Sequence, residues 1–152
     1  MKNILILILI IFISSCTIAQ QSTKPTVKTS FVYSDDVDWG NLKEVMKVDT
    51  TINETTFYFM SGFNDSIYVK YKDVIIFNDF VETDFSTSYS GKAFNINYDE
   101  KEKEQKINIY FNKKKSQINI DIIHGFRFVK LHKNKDNGIW DVIYSNVVPT
   151  FE

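Results

Sequence analysis

Residues 94–122, FNINYDEKEKEQKINIYFNKKKSQINIDI, decide the fold class. Within them three segments alternate apolar and polar residues: Phe94, Ile96 and Tyr98; Ile107, Ile109 and Phe111; Ile118, Ile120 and Ile122. A period of two puts every apolar side chain on one face of an extended strand and every polar one on the other. The runs between them, DEKEKEQK and NKKKSQ, are densely charged and belong at the surface. The stretch reads as an up-and-down meander with one apolar face on a core and one face in water.

The same chemistry extends outward in both directions. Residues 126–132 (FRFVKLH) and 139–144 (IWDVIY) flank Asp136-Asn137-Gly138. Asn-Gly is a strong hairpin signal because a two-residue type I′ turn needs φ > 0 at both positions. Pro149 marks an edge or an exit. Upstream, residues 55–60 (TTFYFM), 66–71 (SIYVKY) and 74–77 (VIIF) are rich in β-branched and aromatic residues, and Lys72-Asp73 can turn the second into the third. Residues 78–92 read as a long connection between two sheets or as a crooked edge strand. Phe31-Val32-Tyr33 is a further short strand, the cluster SDDVDWGN (34–41) breaks it, and residues 42–48 fit either one helical turn or, better, a strand. The expectation is an all-β fold: an antiparallel β-sandwich of about eight or nine short strands over residues 30–152, with a β-barrel as the alternative.

The opening of the chain, MKNILILILIIFISSC, has a different logic. Lys2 precedes ten uninterrupted apolar residues, Ile4 to Ile13, followed by Ser14 and Ser15. That is the layout of a secretory signal peptide, and the run is too short for a bilayer-spanning helix. Ile13-Ser14-Ser15-Cys16 resembles the lipobox of bacterial lipoproteins, an aliphatic residue and two small ones before an obligatory Cys. The resemblance implies removal of residues 1–15, lipid attachment at the Cys16 sulfur and firm anchoring by several acyl chains. A small-x-small site, Thr17-Ile18-Ala19, is the rival cleavage point and would yield a soluble periplasmic or secreted protein. Residues 16–29, polar and β-branched around Pro25, then read as a tether reaching up to roughly 40 Å from the anchor.

Composition narrows the partners. Without Lys2 the chain carries 17 basic and 19 acidic residues, so no global field attracts nucleic acid. Cys16 is the single cysteine, so no disulfide is available and the core must supply the stability. No nucleophile elbow, P-loop, dinucleotide fingerprint or zincin motif is present, and no cofactor is implied.

Three sets of side chains could carry chemistry. The wet face of the meander presents Asn95, Asn97, Asn108, Tyr110 and Asn119, amides beside an aromatic ring, which are the parts of a carbohydrate-binding face. Hard oxygen ligands cluster at Asp36 and Asp38, and again at Asp79, Glu82 and Asp84, as weak candidates for Ca²⁺; neither cluster matches the EF-hand spacing. Lys113-Lys114-Lys115 and Lys130, Lys133 and Lys135 could meet anionic lipid headgroups. His124 and His132 lie about 26 Å apart on a continuous strand and cannot share a metal. Trp140 is expected in the core.

Taken whole, the lipobox and the Lys/Asn/Ile-rich β domain resemble the small lipoproteins of the Bacteroidetes. Surface-directed members of that group carry acids just after the Cys; Thr17-Ile18-Ala19-Gln20-Gln21 has none, which implies an outer-membrane anchor facing the periplasm. The functional expectation is a lipid-anchored envelope module that binds a protein or a glycan. The alternatives are a periplasmic immunity-type inhibitor and a small hydrolase working through carboxylates such as Asp79, Glu82 or Asp84.

Overall fold

The computed structural model describes residues 25–33, 48–102, 105–111 and 116–149. Among these residues nine strands form two sheets: β1 (Val27–Val32), β2 (Glu54–Phe59), β3 (Asn64–Tyr71), β4 (Val74–Glu82), β5 (Ala93–Asn97), β6 (Lys106–Phe111), β7 (Ser116–Asp121), β8 (Phe128–Lys133) and β9 (Trp140–Ser145). One sheet runs β1-β9-β8-β2-β5 and the other β4-β3-β6-β7, and neither closes into a barrel. The two pack face to face as a β-sandwich.

Alternation fixed the faces. Ile67 and Val69 of β3, Ile107 and Ile109 of β6, and Ile118 and Ile120 of β7 are all buried against Phe57, Phe59, Phe94, Val129, Leu131 and Val142 of the other sheet. Aromatic rings thread the seam: Phe77 and Phe94 lie 5.6 Å apart, Phe59 and Phe63 5.3 Å, Phe63 and Trp140 5.3 Å, and Trp140 and Phe111 5.1 Å. These tilted and edge-on contacts suit the ring quadrupole as well as the packing. Trp140 is fully buried, as expected. The buried polar residues are bonded: Thr55 Oγ1 donates to Phe126 O, Thr83 Oγ1 accepts from Phe63 N and donates to Met60 O, and Asn146 Nδ2 donates to Gly125 O.

Strand partners depart from the sequence reading in three places. The meander breaks after its first member: β5 pairs with β2 in the five-stranded sheet, whereas β6 and β7 pair with each other in the four-stranded one. A period of two specifies a face but not a neighbour, and the charged run after Tyr98 is long enough to cross the roughly 10 Å between packed sheets. The five-stranded sheet is also mixed, since β1 lies parallel to β9 and β2 parallel to β8. Both pairs join strands remote in sequence, where no short hairpin dictates an antiparallel return. Finally, β1 starts at Val27, three residues inside the stretch expected to be tether.

Turn chemistry differs as well. Positive φ at two successive residues occurs at Lys72 (47°) and Asp73 (63°), which form the tight β3–β4 turn. At Asn137-Gly138 only the glycine has φ > 0, at 67°. There the loop is wider: Asn134 Oδ1 accepts from Asp136 N at 2.9 Å, and Asn134 N donates to Ile139 O at 2.8 Å. Residues 78–92 divide between the two expectations, the first part completing edge strand β4 and the rest turning tightly where Asp84 N donates to Tyr89 O.

Candidate functional site

The outer face of the four-stranded sheet carries the most distinctive side chains. Its outward positions follow from the inward ones: with Ile67 and Val69 on the core, Ser66, Tyr68 and Lys70 of β3 face out, as do Asn108 and Tyr110 of β6 and Gln117 and Asn119 of β7. Register aligns them in rows. Asn78, Tyr68, Tyr110 and Gln117 stand side by side across four strands, and Lys70, Asn108 and Asn119 form the next row. Tyr68 and Tyr110 stack with centroids 4.4 Å apart and ring planes 9° from parallel. Each covers one face of the other, so what they present is a ridge of two hydroxyls and two outward ring faces, flanked by amides.

Asn108 also borders a shallow depression of about 310 Å³ with Tyr71, Lys72, Glu102, Gln105 and Lys106. Its floor is tied down by hydrogen bonds from Tyr71 Oη to Gln105 Oε1 and from Gln105 Nε2 to Asp99 O at 2.5 Å. Beside it the Lys72–Glu102 ion pair, 2.8 Å, closes the turn end.

The structure divides the expected ligand face. Asn108, Tyr110 and Asn119 share the outer surface just described, but Asn95 and Asn97 belong to β5 and lie on the outer face of the other sheet, opposite Thr56 and Glu54 of β2. The whole core separates the two groups, because β5 crossed to the other sheet. In their place the structure supplies Tyr68, Asn78 and Gln117. The alternation of SIYVKY already turned Tyr68 outward; its partnership with Tyr110 depended on the β3–β6 pairing.

The acidic candidates do not converge. Asp79 and Glu82 are three residues apart on β4 and so leave the strand on opposite faces. The Lys92 ammonium, 2.5 Å away, and the Phe80 amide hold Asp79 below the usual carboxylate range. Asp84 is lowered by the hydroxyl and amide of Ser86, which it bonds at 2.7 and 2.8 Å. Asp79, Glu82 and Asp84 are solvent-exposed, which is the opposite of the desolvated acid a carboxylate-dependent hydrolase needs. Among the described residues no group of three or more His, Cys, Asp or Glu could hold a metal ion. Cys16, Asp36, Asp38 and Lys113 to Lys115 lie outside the described residues.

A second notable surface is β4 itself, an edge strand with no further strand beyond it among the described residues. Val74, Ile75 and Phe80 are 63, 53 and 50% exposed, and Phe85 in the following turn is 79% exposed with the Lys135 ammonium 4.5 Å above its ring. No family model, curated protein or solved structure matches this chain.

Proposed function

We propose that this chain is a lipid-anchored module of the cell envelope, held by Cys16 on the periplasmic side of the outer membrane, that binds a glycan through the outer face of its four-stranded sheet. The observation that carries the reading is the Tyr68–Tyr110 pair, stacked at 4.4 Å in the middle of a row of uncharged hydrogen-bonding side chains. Sugar hydroxyls need paired donors and acceptors, which Asn78, Asn108, Asn119 and Gln117 supply, and sugar C–H faces pack on rings. The adjoining depression at Asn108 gives a saccharide unit somewhere to settle.

Retention of the purified chain on immobilised envelope polysaccharides, with Tyr68→Ala and Tyr110→Ala alongside, tests it. Each substitution is expected to weaken binding about 3- to 10-fold, the worth of an aromatic contact. Equal retention of wild type and both variants, or no retention of the wild type, refutes the assignment.

A protein partner is the second reading, favoured by one feature: the open β4 edge with Val74, Ile75 and Phe80 exposed along it. An extended segment could add to that edge as a strand, the mode that an immunity-type inhibitor could also use. Capture from native envelopes that is abolished by Phe80→Pro, which removes an edge N–H and an exposed ring while leaving Tyr68, Tyr110 and the amides in place, would separate this reading from the first.

A further inference from the structure

Ser61 follows the end of β2 and His132 lies near the end of β8, and the fold brings them together: Ser61 Oγ sits 2.9 Å from His132 Nδ1. Both line an open depression of about 420 Å³ that also includes Ser30, Asn134, Asp141 and Ile143. Asp141 is directly opposite His132 across the β8–β9 pair. A hydroxyl, an imidazole and a carboxylate thus share one concavity, on a different surface from the tyrosine ridge.

We propose that Ser61 is a nucleophile and His132 its general base, in a site that hydrolyses small acyl esters. A serine hydroxyl is a weak nucleophile until a base within hydrogen-bond reach takes its proton, and the base works best beside a third group that favours its charged form. With the ring proton on Nε2, Nδ1 accepts from Ser61. Burial, opposed by the Asp141 carboxylate and reinforced by the Lys130 charge, holds the imidazole below its ordinary pKa and therefore neutral at pH 7, as a base must be.

Ser61 Oγ attacks the ester carbonyl carbon as its proton passes to Nδ1, and the carbonyl electron pair moves onto oxygen. Asn134 is the donor for that oxyanion: its Oδ1 is already held by Asp136 N and Asn137 N, which turns its Nδ2 hydrogens to other acceptors. When the carbonyl re-forms, the bond to the alcohol oxygen breaks and the alcohol leaves with the proton from Nδ1. Water then attacks the acyl-serine, gives a proton to Nδ1, and the collapse returns that proton to Ser61 and frees the carboxylic acid. The negative charge of Asp141 supports the imidazolium in both halves, and Ile143 offers the acyl chain an apolar wall.

The test uses the full chain with a fluorophosphonate probe and with p-nitrophenyl acetate. An activated serine displaces fluoride and is phosphonylated, so the label is expected on the peptide containing Ser61. Nitrophenolate release is expected to fall at least ~100-fold in Ser61→Ala and His132→Gln, the usual worth of general-base assistance. Asp141→Asn should cost about 10-fold. Ser61→Cys, which keeps the shape, should exchange fluorophosphonate for thiol-probe reactivity, and circular dichroism establishes that each variant is folded. A folded wild-type chain that takes no label, a label on another residue, or undiminished release by Ser61→Ala overturns the proposal.

Discussion

Replacing Gly62 with alanine is the sharpest test of the packing that holds β2 against β8. Gly62 has φ = +89°, and a Cβ there would lie 1.6 Å from Lys133 O and 2.7 Å from Lys133 C. Even a close C···O contact is about 3.3 Å, so the two backbones would have to part by about 1.7 Å. They are joined on either side, by Lys133 N donating to Ser61 O at 2.9 Å and Met60 N to Leu131 O at 2.8 Å. Losing both bonds costs about 1–3 kcal/mol at the usual net value of each. A left-handed non-glycine residue adds about 1–2 kcal/mol, for a total of roughly 2–5 kcal/mol. Gly91 is the control, since its φ is +71° but nothing lies within 4 Å of a Cβ, leaving only the backbone term of about 1–2 kcal/mol. Urea unfolding followed by tryptophan fluorescence, with Trp140 fully buried, reads both variants. If Gly62→Ala and Gly91→Ala agree within about 0.5 kcal/mol, the close approach of these backbones is not what stabilises this corner.

Ile109→Ala, at a fully buried position, should cost about 2–5 kcal/mol, whereas exposed Asn97→Ala should stay within about 0.5 kcal/mol in the same urea assay. Lys92→Met, which breaks the surface pair with Asp79, should change stability by less than about 1 kcal/mol, with what change there is shrinking in high salt. His132 has its pKa depressed in the folded state, so the unfolded chain takes up the proton first and stability falls as pH drops below about 6.5. Comparing urea midpoints at pH 7.5 and 5.5, His132→Gln should lose less than the wild type; Asp79 and Asp84, also depressed, act only in the more acidic carboxylate range. Among the described residues Arg127 Nε and Nη1 are buried without an acceptor, with only Nη2 3.7 Å from Glu54 at the surface, so Arg127→Met should be neutral or stabilising by thermal melting.

Faces were legible in the sequence and partners were not. Ile107, Ile109, Ile118 and Ile120 are buried where their alternation puts them, because water sorts apolar from polar side chains whatever the neighbouring strand. Nothing in FNINY distinguishes the first strand of a meander from an edge strand of the other sheet. Local pattern alone puts Asn95 and Asn97 on one face with Asn108 and Asn119, and the β2–β5 pairing separates them. Tyr68 could be assigned outward but not beside Tyr110, and Ser61 could not be linked to His132, since both meetings depend on long-range pairing. At Asn137-Gly138 the turn was located correctly but its shape was not, because the Asn134 side chain competes for the backbone N–H groups.

The parallel pairs β1–β9 and β2–β8 also set an order of events during synthesis. Among the described residues β1 pairs only with β9, the last strand made, and β2, which can pair with β5 earlier, gains its second neighbour only with β8. During synthesis the five-stranded sheet can form little beyond its β2–β5 and β2–β8 pairings until Trp140–Ser145 has been made. Such non-local topology folds slowly, since loop closure must precede the contacts that reward it. The four-stranded sheet, whose last strand ends at Asp121, can therefore form before the five-stranded one, which waits for β8 and β9.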